Sequence, residues 1–373
     1  MAGNLRDRVR SFGQKVLGNR ELDDSRPDNL SPDSDLPGKG LVNNDERVLS
    51  ATHANNGTYP RLARLSDGSI LAGFTRREGK QRVLHISKST DGGNSFFDWG
   101  EVTRGVGDVD NLYLLEVAPS TILGAFRNHD LGPGGPTYFR ITVCRSTDGG
   151  RSWSFLSQAA EKGAPLGLWE PFMRIGSRGE VQLTFSQEFA HDDQRTMLVV
   201  SHDQGRTWSQ PVCIEGKKER LRDGMTGITT TIDNGRDALV MVFETTRYGT
   251  FNIEAVVSYD HGNTWHHRHE VYAPPRGHNA GSPQIASFAD GSLAVVFMTD
   301  EDSSRVEWTK HASIKVIFAG PPNNGRIHWS RPILVSPKDS YWPGIMALDR
   351  RTVLVTYDRG GPRAKSITWE PRG

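Results

Sequence analysis

The sequence is short of cysteine, of long apolar runs and of net charge, and each shortage excludes a class of function. Its two cysteines, Cys144 and Cys213, are too few for a disulfide framework, and no Cys/His cluster has zinc-ligand spacing. Both read as buried thiols. No run of about 18 apolar residues is present, so no membrane span is expected. Lys plus Arg (45) nearly balances Asp plus Glu (44), which removes the basic excess that nucleic-acid binding rests on. A neutral or mixed substrate is the simpler expectation. The first residues also lack the apolar core of a secretory signal. Leu5, Val9, Phe12, Val16 and Leu17 instead share one helical face among Arg6, Arg8, Arg10 and Lys15, the pattern of a short basic helix, solvated or resting on a membrane surface. Residues 21–40 are polar, acidic and proline-containing, and read as a disordered linker. An arm over residues 1–40 and a folded domain over 41–373 are therefore expected.

What is plentiful is glycine, proline and repetition. The 40 Gly and 20 Pro of this 373-residue chain suit many short strands and turns. One turn motif occurs four times, from Ser89 to Phe96, Ser146 to Trp153, Ser201 to Trp208 and Ser258 to Trp265, with leading serines 57, 55 and 57 residues apart. A worn fifth copy follows at Asn324–Trp329. Independently, short apolar strands end in an aromatic residue six times, at Phe74, Phe126, Phe185, Phe243, Phe297 and Tyr357. Three of these strands open on Asp67-Gly68, Asn234-Gly235 or Asp290-Gly291 turns. Two markers with one period of about 55 residues predict six four-stranded units, an all-β six-bladed propeller. The stretch Glu46–Ser50 resembles the outer strand at Pro332–Ser336 and is expected to complete the last blade. The Ser-x-Asp-x-Gly-x-Thr/Ser-Trp motif is an Asp-box. Four copies cannot all serve one active site, so its role is architectural: Asp accepts backbone N–H groups, Gly supplies φ > 0 and the aromatic packs.

Meander geometry puts the first turn of each blade and the Asp-boxes at one end of the propeller. Functional residues are expected at the other end, where inner strands begin and second strands finish. Inner-strand starts read Tyr59-Pro60-Arg61, Asp110-Asn111, Trp169-Glu170-Pro171, Arg222-Asp223-Gly224-Met225, Asn279-Ala280-Gly281-Ser282-Pro283 and Tyr341-Trp342-Pro343. The residues after the terminal aromatics are Thr75, Arg127, Ser186, Glu244, Met298 and Asp358. Amides, carboxylates, arginines and aromatics in one ring suit a sugar. Glu170 and Glu244 fall on neighbouring blades, as the two carboxyl groups of a glycoside hydrolase must. Glu170, beside Trp169, Pro171 and Phe172, is expected to have a raised pKa and act as general acid/base. Glu244, followed by Thr245, Thr246 and Arg247, is expected to be ionised and act as nucleophile. Asp110, Asp223, Glu188 and Asp358 are rival carboxylates. Asn111, Arg127, Asn128, His129 and Asn279 are candidates for sugar hydroxyls, and Trp169 and Trp342 for stacking, although core packing serves those tryptophans equally well. Arg61, Arg222, Asp223, Asp110 and Tyr341 complete the candidate substrate site.

The segments Asp110-Asn111, Ala125-Phe-Arg-Asn-His129, Tyr138-Phe-Arg-Ile-Thr142, Gly167-Leu-Trp-Glu-Pro-Phe172, Arg222-Asp-Gly-Met-Thr-Gly227, Val242-Phe-Glu244, Asn279-Ala-Gly281 and Phe297-Met-Thr-Asp-Glu-Asp302 resemble glycoside hydrolase family 93. That family comprises fungal exo-α-1,5-L-arabinanases on a sialidase-like propeller. The resemblance implies release of arabinobiose from linear arabinan with retention, a catalytic pair at Glu170 and Glu244 about 5–5.5 Å apart, and no metal or other cofactor. It also implies secretion, whereas this chain opens on a basic helix and acidic linker in place of a signal peptide, so either an intracellular protein or an altered start is expected and the compartment stays open. A monomer acting on an oligosaccharide or polysaccharide is expected. Two other readings remain. A sialidase would use Arg61, Arg127 and Arg222 to clamp a carboxylate, with a tyrosine nucleophile. A non-catalytic propeller would bind carbohydrate or protein.

Overall fold

Short β-branched strands separated by glycine turns fold back on their neighbours, and the computed structural model, which describes residues 38–371, arranges them as six antiparallel sheets. The basic helix expected over residues 5–17 lies outside the described residues. β1 (Gly38–Val42) and β2 (Arg47–Val48) precede blade 1, which is β3 (Thr58–Arg64), β4 (Ile70–Glu78), β5 (Gln81–Ser89) and β6 (Phe97–Gly105). Blade 2 is β7 (Asp108–Ala118), β8 (Thr121–Gly132), β9 (Gly135–Ser146) and β10 (Ser154–Gly163). Blade 3 is β11 (Leu168–Ile175), β12 (Val181–Ala190), β13 (Asp193–Ser201) and β14 (Val212–Glu215). Blade 4 is β15 (Gly224–Asp233), β16 (Arg236–Thr245), β17 (Asn252–Ser258) and β18 (His266–Tyr272). Blade 5 is β19 (Ala280–Ser287), β20 (Leu293–Thr299), β21 (Ser313–Ala319) and β22 (Ile333–Ser336), with the single-turn α1 (Trp308–His311) between β20 and β21. Blade 6 is β23 (Tyr341–Ala347), β24 (Thr352–Asp358) and β25 (Pro362–Pro371). Each inner strand packs against the inner strands of both neighbouring blades, with β23 returning to β3, so the six-bladed propeller closes.

Closure comes from the N-terminal side. β1 pairs antiparallel with β25 from Gly38↔Pro371 to Val42↔Ile367, and β2 adds Arg47↔Ala364 and Val48↔Arg363. The closing strand thus takes in Gly38–Gly40, residues whose composition reads as linker. Their glycines are packing residues: a Cβ on Gly38 would lie 2.1 Å from the Trp369 ring, and one on Gly40 2.2 Å from Ile333 Cδ1. The structured propeller therefore begins before the boundary expected at residues 40 and 41.

The six strand-ending aromatics Phe74, Phe126, Phe185, Phe243, Phe297 and Tyr357 are all 0–1 % exposed. They are among the largest fully buried side chains, and their burial holds each second strand at a fixed height. The four Asp-boxes share one bonding pattern. The leading serine donates to the Asp two residues on and accepts the Gly N–H four residues on, as in Ser146 Oγ to Asp148 Oδ1 (2.8 Å) and Gly150 N to Ser146 Oγ (2.9 Å). The worn fifth copy has no aspartate of its own. Asp233, from the β15–β16 turn of blade 4, accepts its N–H groups instead, at 2.8 Å from Asn324 and 2.7 Å from Gly325. A carboxylate from the neighbouring blade thus repairs the motif.

Candidate active site

The six inner strands share one irregularity. Each carries a β-bulge near its start, shown by register breaks at Thr58/Arg61, Asp110/Tyr113, Trp169/Phe172, Gly224/Gly227, Gly281/Gln284 and Tyr341/Gly344. The residue after the first member of each pair has positive φ: Tyr59 (52°), Asn111 (62°), Glu170 (40°), Met225 (53°), Ser282 (52°) and Trp342 (53°). None is glycine, so each position stores about 1–3 kcal/mol of strain. Bulges re-aim side chains at functional sites, and here six of them ring the axis. The residue facing each break on the second strand is Thr75, Arg127, Ser186, Glu244, Met298 or Asp358. This is the end opposite the Asp-boxes.

Glu170 occupies the bulge of blade 3. Its charge is felt by Tyr59 and Arg61 of blade 1 and Arg127 of blade 2, and it feels Glu244 of blade 4. Its carboxyl thus shares an electrostatic neighbourhood with groups from three other blades. Burial of its carboxyl, reinforced by the Glu244 charge, raises its pKa to about 8, although the residue keeps some surface open. Glu244 ends β16, is buried, and accepts the Ser282 N–H at 2.8 Å. Burial also raises its pKa, to about 7, against the Ser282 hydrogen bond and the Arg222 charge. The polar setting expected for Glu244 is absent because its sequence neighbours turn elsewhere: Arg247 pairs with Glu254 and Glu219, and the Thr246 hydroxyl accepts the Arg222 N–H. Gly281 makes the space. A Cβ there would lie 2.6 Å from Glu244 Oε2 and 2.7 Å from the Trp308 ring. Gly281→Ala is therefore expected to displace the carboxylate and lower kcat about 10–100-fold while the protein stays folded, because misplacement by about 1 Å costs up to 10². Steady-state kinetics beside a circular-dichroism melt checks this.

The other candidates divide. Tyr59 stacks on Trp342 (4.4 Å between ring centres), and the Arg127 guanidinium lies over both Tyr59 (5.4 Å) and Trp169 (5.7 Å). Trp308, which is buried, meets Trp342 edge-on at 6.2 Å. Arg127 is held by Asp108 (3.2 Å) and Asp110 (3.3 Å), and Arg82 joins both aspartates, so Asp110 is an ion-pair partner. The Asn111 Nδ2 and Trp169 Nε1 atoms are buried without a hydrogen-bond partner among the described residues. Arg61 is buried, donates to the carbonyls of Pro60 and Trp342, and its pKa is lowered to about 10 by burial. It also lines a cavity of about 430 Å³ along the axis, between the inner strands, which neither glutamate lines. Arg61 thus stands at the junction of funnel and channel. Arg222 donates to Glu188 (2.9 Å) and Gln194 (2.8 Å), and the second Glu188 oxygen accepts the Gly167 N–H.

Five candidates are engaged away from the ring. Asn128 donates to Thr142 Oγ1, between β8 and β9. His129 is buried edge-on to Phe139 and Trp169, and burial lowers its pKa to about 4. Asp223 is fully buried and bound by Arg268 at 2.7 Å. Asn279 accepts the Phe251 N–H and donates its own N–H to Asp300, so it ties loops together. Tyr341 donates its hydroxyl to the Lys310 carbonyl. Tyr59, Ser186 and Ser282 stand at strand starts or ends without having been assigned a role, and Trp308, on α1, lies at neither kind of position. The first three sit at bulge or facing positions, and the regular spacing of those positions was the available signal.

No protein-family model and no curated protein matches the chain. Solved structures do. The α-L-arabinofuranosidase of glycoside hydrolase family 93 from Fusarium graminearum, solved with arabinobiose, is 19 % identical, with a TM-score of 0.64 over 89 % of this chain and 98 % of that one. A protein of unknown function from Dyadobacter fermentans is 18 % identical, with a TM-score of 0.63 over 89 % and 99 %. The NanB sialidase of Streptococcus pneumoniae is 14 % identical, with a TM-score of 0.58 over 91 % and 71 %. At these identities the likeness is one of fold, and the fold is the sialidase-like six-bladed propeller.

Proposed function

We propose that this protein is a retaining, exo-acting glycoside hydrolase for neutral furanoside chains, with α-1,5-linked arabinan as substrate and arabinobiose as product. The observation that carries the reading is the pair of carboxyl groups from adjoining blades, Glu170 and Glu244, interacting over the axis with pKa values of about 8 and about 7. Glycoside hydrolysis uses two carboxyl groups flanking one linkage, and of this pair Glu170 is the one raised further, by burial and by the Glu244 charge, which suits it to the acid role. Glu170 protonates the leaving oxygen as Glu244 attacks the anomeric carbon and the glycosidic C–O bond breaks. Glu170, now a carboxylate, takes a proton from water, whose oxygen displaces Glu244 from the glycosyl ester. The partly open aromatic surfaces of Trp342 and Trp169 suit sugar rings, with buried Tyr59 stacked behind Trp342. The likeness in fold to an α-L-arabinofuranosidase solved with arabinobiose supports the substrate class.

A sialidase reading loses its support in the electrostatics. A clamp of three arginines needs charge to spare, yet Arg127 is matched by Asp108 and Asp110 and Arg222 by Glu188, so of the three only Arg61, which donates to the Pro60 and Trp342 carbonyls, is not paired with a carboxylate among the described residues. Burial raises the pKa of Tyr59 far above its ordinary value, the reverse of an activated nucleophile. Incubation with debranched arabinan, and separately with a sialyl aryl glycoside, tests the choice. Arabinobiose as sole product supports the proposal, free sialic acid supports the rival, and no turnover of either leaves a binding propeller. The pH profile is a second check. Glu244 must be ionised and Glu170 protonated, so kcat/KM should fall below about pH 7 and again above about pH 8. Both limbs belong to the coupled pair. A rate that keeps rising beyond pH 9 would contradict the acid role.

A further inference from the structure

Away from the funnel, the fold gathers His53, His85 and Asp98, each offering one ligand atom, all within 4.8 Å of one another. They come from three places: the loop between β2 and β3, the middle of β5, and the start of β6. We propose that these three side chains bind one zinc-type divalent ion, which clamps the seam where the chain closes the propeller.

The donor set is the first argument. Two imidazoles and one carboxylate suit zinc and its neighbours, with a remaining position for water. A tetrahedral ion with bonds of about 2.0–2.1 Å holds its donors about 3.3 Å apart. His85 Nε2 and Asp98 Oδ1 are already 3.1 Å apart. His53 is half-buried on a loop, so its ring needs a swing of only about 1–1.5 Å to close the set around bonds of that length. The Asp98 side chain is 31 % exposed, which leaves a path for the ion and for water.

The surroundings are the second argument. Ser50 is fully buried and touches two of the three residues: its hydroxyl donates to Asp98 Oδ1 at 2.5 Å, which orients that carboxylate, and accepts the backbone N–H of His53 at 3.0 Å, which fixes the loop carrying the ring. Such outer hydrogen bonds orient metal ligands. The His53 ring stands edge-on to His85, centres 5.0 Å apart. Arg76 is the nearby cation, and its charge is answered by Glu78 and Glu101.

Location supplies the role. Leu49, just before the loop, packs with Ile70, Ala72 and Phe74 of blade 1 and Leu354 and Ala364 of blade 6. An ion on His53 ties this segment to β5 and β6, on the far side of the closing strand. It shares no residue with the glutamate pair, so its effect is on stability.

The test uses the full-length protein, stripped with chelator, then titrated with zinc chloride by calorimetry and followed by thermal melt. One equivalent should bind, and Tm should rise by about 4 °C at a hundredfold excess over Kd. His53→Ala and Asp98→Asn should each lose the stoichiometric heat and the Tm rise; His53, on its loop, is the variant that leaves the folded protein intact. Zinc uptake by wild type no greater than by His53→Ala, or an equal Tm rise in both, would overturn the proposal and leave a hydrogen-bonded cluster only.

Discussion

Glu170→Gln should lower kcat/KM on linear arabinan by about 10²–10⁴-fold, the usual worth of a positioned general acid. Gln keeps the shape and cannot supply the proton. An aryl arabinoside with a good leaving group needs no protonation, so its first step should be nearly unaffected, and the slow release of the glycosyl ester should appear as a burst. Small and equal losses on both substrates would reject the acid role. The variant must also be shown to fold, and the sign of the linkage helps. The folded-state pKa of Glu170, about 8, lies above its ordinary value of 4.5. Its protonated form therefore favours folding, and that contribution is lost as pH rises from about 4.5 through about 8. Gln carries no charge to bury. Glu170→Gln should accordingly melt at or above the wild-type temperature at pH 9, while being far less active.

Arg268→Ala should be the most damaging single change to stability, at about 3–5 kcal/mol. Its guanidinium meets Asp223 (2.7 Å), Glu215 (3.0 Å) and Glu254, and Asp223 is 0 % exposed. Burial already pushes the Asp223 pKa upward against the pull of Arg268. Removing the arginine leaves uncompensated carboxylates behind the strand that carries Glu244. Urea unfolding at pH 7 measures the loss, and it should shrink at pH 5, where the orphaned acids can protonate. A change below about 1 kcal/mol, the range of exposed pairs, would mean the network is dispensable.

These two residues show what the sequence makes legible. The repeat, the blade count and the end that holds the bulges follow from two periodic markers, because closure requires every blade to repeat the same turns and the same buried aromatic. The positions of Glu170 and Glu244 follow from that frame. Partner choice does not. Asp223 and Asn279 occupy strand starts as Glu170 does, yet Arg268 claims one and backbone amides claim the other, and Arg268 lies in an outer strand with no marker. The bulge ring was hidden for a related reason: Tyr59, Asn111, Glu170, Met225, Ser282 and Trp342 share a backbone conformation and no side-chain chemistry. Gly38 and Gly40 resemble linker residues until Trp369 and Ile333 are seen filling the space a Cβ would need. His53, His85 and Asp98 are likewise brought together by closure and not by spacing.

The most direct measurement is to trap the glycosyl ester. A fluorinated arabinosyl inactivator, followed by proteolysis and mass spectrometry, should place one covalent sugar on Glu244 and none in Glu244→Gln. A label on a tyrosine, on Glu170, or nowhere in an enzyme that still turns over would contradict a nucleophile at Glu244 and, with it, the paired-carboxylate account.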